Sequence, residues 1–457
     1  MTTRTLIACL GLITFGLPGI ASAADSAELE SIRAEIQQMK QNYEARIQSL
    51  ETKLEAAQTS AGKAEQSAVK AETAAVEAAS KQAPASANAF NPGISLILSG
   101  IYANRSQDSD SHITNFQAGG DVGPGLRGFS LAESEFDIYA NIDHYFYGGL
   151  NLSIGADDKV SAEEAFVQTS ALPYGFTVKG GRFFSGIGYL NEQHAHTWDF
   201  VDIPLAYRAF LGTQFGDDGV QVRWIAPTDT FLELGAEGGR GRLAGSEGKD
   251  QNGAGAGSVF AHVGGDIGIS SSWRAGLSYL RASTSKRDSA DLDTAGNFVT
   301  NRFSGNSRIW IADFVWKYAP NGNPAYTNFK LQGEYLNRSE SGNLAYNIDA
   351  ANNLAHYSAD QSGWYLQGVY QFRPYWRAGL RYDQLYAGNT DYSGNNASLV
   401  ANGYDPKRVT AMLDYSPSEF SRLRLQLARD DSRQGKADDQ IFIQYIMSLG
   451  AHGAHKF

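Results

Sequence analysis

The stretch FSLAESEFDIYAN, residues 129–141, places an acidic side chain at Glu133, Glu135 and Asp137, every second position. In an extended strand, successive side chains point to opposite faces. Phe136, Ile138, Ala140 and the following Ile142 then share one face, and Glu133, Glu135, Asp137, Tyr139 and Asn141 share the other. A row of carboxylates cannot enter a dry core or touch lipid without a large desolvation cost. It can face a water-filled lumen while the apolar face meets hydrocarbon, the inside-out pattern of a transmembrane β-barrel.

The same alternation recurs along the chain. In residues 145–154, Phe146, Leu150, Leu152 and Ile154 oppose Tyr145, Tyr147, Asn151 and Ser153. Trp273, Ala275, Leu277 and Tyr279 oppose Arg274 and Ser278, and Trp376, Ala378, Leu380 and Tyr382 oppose Arg377, Arg381 and Asp383. Leu423, Leu425 and Leu427 oppose Arg422, Arg424 and Gln426. Aromatic residues near segment ends match the interfacial girdles of such barrels. Between residues 95 and 449 the pattern predicts a sixteen-stranded antiparallel barrel, with fourteen and eighteen strands as the bounds.

The connections support this count. Short links at 142–144, 172–175, 227–229, 270–271, 374 and 416–419 alternate with long polar segments at 104–127, 186–218, 239–257, 284–305, 339–360 and 388–406. Short periplasmic turns alternating with long external loops is the plan of bacterial outer-membrane barrels. Both barrel ends then fall on the short-turn side.

Composition agrees. The chain has 457 residues, with Gly at 49 and Tyr and Phe at 23 each. Its mean hydropathy is −0.34, and beyond residue 24 no run approaches the roughly 20 apolar residues of a membrane-spanning helix. The formal charge of −11 disfavours nucleic acid, which needs a clustered basic surface. The single cysteine, Cys9, lies in a segment expected to be removed, which leaves no thiol for disulfides, zinc or nucleophilic catalysis.

Residues 1–23 have the three parts of an export signal: Arg4, an apolar run from Leu6 to Leu17, and Ala21-Ser22-Ala23 as the cleavage site. Residues 24–83 then read as a periplasmic helical stalk. Leu29, Ile32, Ile36, Met39 and Tyr43 are spaced as a coiled-coil seam, and Ile47, Leu50 and Leu54 continue it after a stutter. The seam turns to alanine at Ala57, Ala61, Ala64, Ala68, Ala71, Ala75 and Ala78, and Pro84 opens a linker over 84–93. At 1.5 Å per residue the helix would reach about 90 Å. A seam predicts a partner, and identical chains are the simplest one. The barrel domain is placed at 94–457.

Glu164-Ala165-Phe166-Val167 is followed by the Leu172-Pro173-Tyr174-Gly175 turn, Lys179-Gly180-Gly181-Arg182-Phe183, Gly186-Ile187-Gly188 and Asp199-Phe200-Val201-Asp202-Ile203-Pro204-Leu205. In that order the chain resembles the phosphate-selective porin O/P family of trimeric outer-membrane porins with an N-terminal coiled coil. The C-terminal Phe457 is similar to the aromatic signal read by barrel-assembly machinery. The resemblance implies a homotrimeric pore in outer-membrane lipid with an inward-folded loop. Two departures stand beside it. Candidate lumenal bases Lys179, Arg223, Arg274, Arg377, Arg381, Arg422 and Arg424 share the wall with Glu133, Glu135, Asp137 and Asp383, so phosphate specificity does not carry over. The final residues 452–457 also lack alternating aromatics.

Pore selectivity follows from constrictions and rings of charge. The 186–218 segment is the constriction candidate, with Tyr189, Glu192, Trp198, Asp199, Asp202, Tyr207 and Arg208. His194 and His196 within it, and His452 and His455 near the end, read first as surface histidines. A zinc role for His194 and His196, completed by Glu192 or Asp199, is the secondary reading. No G-x-S-x-G, H-E-x-x-H or P-loop motif is present, so no enzyme and no cofactor are expected. The expected function is passive diffusion of small hydrophilic solutes or ions. The alternatives are a closed barrel tethering the membrane to the cell wall through the stalk, and a zinc uptake channel.

Overall fold

A computed structural model describes residues 34, 36–52, 92–108, 112–120, 122–123, 125–246, 248, 252–399 and 401–450. The export signal, Leu29, Ile32, Leu54, the alanine half of the stalk, most of the linker, His452, His455 and Phe457 lie outside the described residues.

The N-terminal unit contributes helix α1, residues 36–52. Ile36, Met39, Tyr43, Ile47 and Leu50 are each more than half exposed, so the described part of the helix presents an apolar stripe.

The second unit is a closed antiparallel barrel. Its strands are β1 (Gly93–Arg105), β2 (Gly128–Leu131), β3 (Ser134–Asn141), β4 (Phe146–Ile154), β5 (Val160–Thr169), β6 (Phe176–Phe184), β7 (Gly216–Ile225), β8 (Phe231–Gly239) and β9 (Ala256–Ile267). β10 (Ser271–Leu292), β11 (Phe298–Tyr318), β12 (Asn328–Tyr346), β13 (Asn353–Arg373), β14 (Trp376–Asp391), β15 (Lys407–Ser418), β16 (Ser421–Asp431) and β17 (Asp438–Gly450) complete it. From β3 to β17 each strand pairs with the next, and β1 closes the ring by pairing with β17 from Ser95↔Gly450 to Arg105↔Gln440. On its other edge β1 pairs with both β2 and β3. These two are one wall strand broken by a one-residue slip at Ala132-Glu133, because Gly100↔Leu131 becomes Ile97↔Glu135. The barrel therefore has sixteen wall strands, as the alternation predicts.

The polarity of the wall is inverted relative to a water-soluble protein. On β16, Leu423, Leu425 and Leu427 are exposed while Arg424 and Gln426 are buried. On β17, Ile441, Ile443 and Tyr445 are exposed while Gln440 and Gln444 are buried. Only lipid makes an exposed apolar ring of this kind favourable, so the strands are transmembrane.

Two of the expected long loops are largely strand. β10 has 22 residues, β11 has 21, β12 has 19, β13 has 21 and β14 has 16, where about 9–11 suffice to cross a bilayer. The segments 284–305 and 339–360, read as loops, are mostly the outer halves of hairpins, with turns at residues 293–297 and 347–352. The 388–406 segment begins as strand up to Asp391. These extensions are rich in Ser, Asn, Asp and Arg, with Val299, Phe303, Leu344 and Tyr357 clustered on the inner face, so the ladder continues while the alternation that marks a lipid-facing strand stops.

Candidate functional site

The segment between β6 and β7, residues 185–215, crosses the barrel interior. Its side chains bond to strands on opposite arcs of the wall, which is possible only from inside. Near its start, Glu192 pairs with Arg223 on β7, and Arg223 also reaches Glu233 on β8 at 3.3 Å. His196 Nδ1 lies 2.8 Å from Glu135 Oε1 on β3. Farther along, Asp199 pairs with Lys330 on β12 and with Arg377 on β14 at 3.1 Å. The Trp198 carbonyl accepts from Arg424 on β16 at 2.8 Å.

Asp202 is the chief fastening. It receives Arg381 at 3.1 Å, Arg208 at 3.0 Å, Gln426 at 3.0 Å and Arg408. Burial opposes ionisation of this carboxyl, but Arg408, Arg381 and Arg208 overcome the opposition and hold it well below the usual carboxylate range.

The segment then forms helix α2, Leu205–Leu211, entered through Pro204 with the Leu205 amide on Asp383 at 2.9 Å. All seven residues of α2 are buried. They meet Ile113 and Phe116 from the 112–123 loop, Leu243 and Ala244 from the 239–257 loop, and inward-facing Leu280, Ile309, Ile311, Leu336 and Leu385 from the wall. This is an apolar core inside a polar barrel. Gly212 caps the helix at φ 70°, and a Cβ there would fall 2.6 Å from the Gly119 carbonyl. Only glycine permits both the turn and the close approach of the neighbouring loop. Glu334 ties the start of the segment down by accepting from the Tyr189 and Leu190 amides at 3.1 and 2.9 Å. It also accepts from the Tyr207 and Tyr365 hydroxyls at 2.8 and 2.7 Å.

The sequence-predicted residues fall into two groups. Arg223, Arg274, Arg377 and Arg422 face inward with partial exposure. Glu135, Lys179, Arg381, Asp383 and Arg424 also face inward but are covered, not open to water. Arg381, Asp383 and Arg424 are occupied in holding the crossing segment. Lys179 sits over the Phe166 and Phe183 rings at 4.5 and 5.6 Å. Glu133 and Asp137 lie on the acidic side, partly exposed. The inward apolar residues Ile309, Ile311, Leu336 and Leu385 were not anticipated. Opposite them on the same strands stand outward Trp310, Tyr335 and Tyr386, so both faces are apolar or aromatic and the period-2 signal is blurred.

Charge on the inner wall is uneven. On the arc from β3 to β8 and the link before it, Glu133, Glu135, Asp137, Glu163, Glu164, Glu233 and Glu237 outnumber Lys179 and Arg223. On the arc from β11 to β16, Lys317, Lys330, Arg377, Arg381, Arg408, Arg422 and Arg424 stand among the inward acids Asp313, Glu334, Asp383 and Asp414. The crossing segment lies between them. Beside it are cavities of about 820 Å³ on the basic arc, about 240 Å³ on the acidic arc and about 400 Å³ next to Arg223 and Arg274. Gln193 borders all three.

The expectation that Glu192 or Asp199 joins the histidines is corrected, because both are engaged elsewhere by arginine or lysine. The histidines instead meet wall glutamates. His194 Nδ1 is 3.3 Å from Glu135 Oε2 and 3.4 Å from Glu163 Oε2, and its Nε2 is 3.2 Å from Glu164 Oε2.

An uncharacterized protein of Aquifex aeolicus (strain VF5) is 32% identical over 412 residues, covering 83% of this chain and 82% of the relative. The chain belongs to that protein's family. No family model matches it. Among solved structures, a loop-deletion mutant of OmpT, an outer-membrane protein of Vibrio cholerae, superposes with a TM-score of 0.50 at 11% identity. It covers 79% of this chain and 99% of that one. At that identity the likeness concerns the fold. An anion-selective porin from Comamonas acidovorans gives a TM-score of 0.46 at 10% identity, covering 79% and 99%. Membership in the phosphate-selective porin O/P family is not among what these likenesses establish.

Proposed function

We propose that the chain is an outer-membrane porin through which small hydrophilic solutes or ions diffuse, with the α1 segment in the periplasm and three copies associating. The observation that carries this reading is the arrangement around Gln193. Three cavities border one residue of a segment that spans the interior; Lys317, Lys330, Arg377 and Arg422 outnumber Asp199 and Asp266 around one of them, while Asp137, Glu164 and Glu192 line another. A partial barrier within a charged tube sets size and charge preference while allowing passage.

Purified, folded protein in a planar bilayer is expected to give stepwise ohmic currents. A folded preparation that inserts and carries none defeats the assignment. The exposed stripe of Ile36, Met39, Tyr43, Ile47 and Leu50 supports self-association, because an uncovered apolar seam is stable in water only against a partner. Deleting residues 25–83 should leave the conductance per barrel unchanged and loosen the oligomer in detergent, as read by cross-linking and by mass. A fall in conductance with an intact barrel would assign the helix a part in the pore itself.

A further inference from the structure

We infer that the inner wall holds a site for a divalent transition-metal ion of the zinc type, built from His194, Glu135 and Glu163 and supported by Glu164 and His196. The inference concerns binding and does not rest on the barrel conducting.

The first observation is how the ligands are brought together. β4 pairs Asn151 with Glu164 and Leu152 with Ala162, so Glu163 is the extra residue of a β-bulge. In a regular strand two consecutive residues face opposite ways. The bulge turns Glu163 and Glu164 onto the same inner face, which is what such irregularities do next to functional groups. Glu135 comes from the neighbouring part of the wall on β3, and the crossing segment delivers His194 onto all three.

The second observation is the geometry. One atom each from Glu135, Glu163 and His194 lies within 4.8 Å of the other two. His194 Nδ1 is 3.3 and 3.4 Å from the two carboxylate oxygens. Zinc bonds of about 2.0–2.2 Å in a tetrahedron require ligand-to-ligand edges of roughly 3.3–3.6 Å. Two edges of the figure are therefore already in place. Nδ1 is enclosed and makes no properly directed hydrogen bond with either oxygen. An imidazole nitrogen aimed between two carboxylates without bonding to them suits a cation placed among the three.

The third observation is the support around the ligands. Glu135 Oε2 accepts from the Asn151 amide at 3.0 Å, and its Oε1 meets His196 Nδ1 at 2.8 Å. The Phe184 amide bonds Glu164 Oε1 at 3.2 Å, which leaves Oε2 turned toward His194 Nε2. Carboxylate and histidine ligands of metals are held by outer partners of this sort. The cluster also carries excess negative charge, since Glu133, Glu135, Glu163 and Glu164 outnumber two histidines. The 240 Å³ cavity, lined by Glu164, His194 and His196, gives access. A mixed nitrogen and oxygen donor set favours zinc, cobalt or manganese over calcium.

The test uses the full, folded protein in detergent after chelation and dialysis. Titration with Zn2+ by calorimetry should show one tight site per chain. Co2+ should give the intense visible bands of a four-coordinate ion that Zn2+ then displaces. Glu163→Gln and His194→Ala should each weaken Zn2+ by about 100-fold or more. His196→Ala, which removes only an outer partner, should weaken it by about 10–100-fold while keeping the Co2+ spectrum. Heat-modifiable migration on gels verifies that each variant retains its barrel. Wild-type protein that takes up no Zn2+ beyond the level of a folded Glu163→Gln, His194→Ala double variant overturns the inference. So does a Co2+ spectrum of purely six-coordinate type. If currents are absent but the metal titrates as described, the porin reading fails and this one stands.

Discussion

Asp202→Ala is expected to release the crossing segment from the basic arc and raise single-channel conductance, with weaker discrimination by solute size. The carboxylate is shared by Arg381, Arg408, Arg208 and Gln426. The Arg381 and Arg408 side chains are essentially unexposed, and without the acid Arg381 keeps only the Asp383 carboxylate at 2.9 Å and Arg408 only that of Asp430 at 3.7 Å, so each buried cation loses one carboxylate partner. Leaving a buried charge wholly unpaired costs about 3–5 kcal/mol, which bounds the cost from above. The segment avoids that cost by moving, which lets water reach both guanidinium groups. Asp202→Asn isolates the charge from the hydrogen bonds, because its amide oxygen still accepts from one arginine. It should give an intermediate conductance. The barrel itself should survive both changes, because its ladder of strand pairs does not pass through Asp202. Urea-induced unfolding followed by gel migration checks this. An Asp202→Ala barrel that is folded and conducts as wild type would show that the apolar core around α2 holds the segment without the acid.

That core explains where sequence reading succeeded and where it stopped. The fold was legible because lipid imposes a rule that repeats along the chain. Stretches such as Leu423-Arg424-Leu425-Gln426-Leu427 admit no other environment on their apolar face. The strand ends of β10 to β13 were not legible, because their outer face is polar and their inner face mixes Arg287, Ser289 and Asn301 with Val299, Phe303, Leu344 and Tyr357, so the period is lost and the ladder resembles a loop. The inward packing of Ile309, Ile311, Leu336 and Leu385 was hidden for the opposite reason. A strand apolar on both faces loses its period, and the partner that explains the inner face is α2, far off in sequence.

The site was legible in part. Asp199 and Asp202 stood out as acids in an aromatic segment, and the structure pairs both with bases on β12, β14 and β15. Their partners could not be assigned, because contacts such as Asp202 to Arg408 join residues more than two hundred positions apart. His194 and His196 were visible as a pair, but their companions were misjudged. Sequence proximity suggested Glu192 and Asp199, whereas the wall supplies Glu135, Glu163 and Glu164. The only local trace of that outcome is the doublet Glu163-Glu164. Two acids in a row within an alternating strand violate its period, and a bulge is the physical way to reconcile them.

The different balance of charge around the cavities leads to the second large effect, on ion preference. Lys317 and Arg422 line the 820 Å³ cavity on the basic side, and neither forms the fastening at Asp202. Lys317→Glu combined with Arg422→Gln removes three units of positive charge from that cavity, two from the reversal and one from the neutralisation. Glutamine keeps an amide donor for the His196 and Trp198 carbonyls, which Arg422 contacts at 3.3 and 3.4 Å. At about 7 Å in water each unit charge is worth roughly 0.6 kcal/mol to a monovalent ion, or roughly 1.8 kcal/mol for three. Screening at 0.1 M salt about halves this, to roughly 0.9 kcal/mol. The sign is fixed: loss of positive charge favours cations and disfavours anions, each by about fivefold. The reversal potential measured across a tenfold salt gradient should move toward the cation limit, and the movement should shrink as both solutions are made more concentrated. An unchanged potential, with conductance intact, would place the ion path along the acidic arc, next to Asp137 and Glu164, and away from these bases.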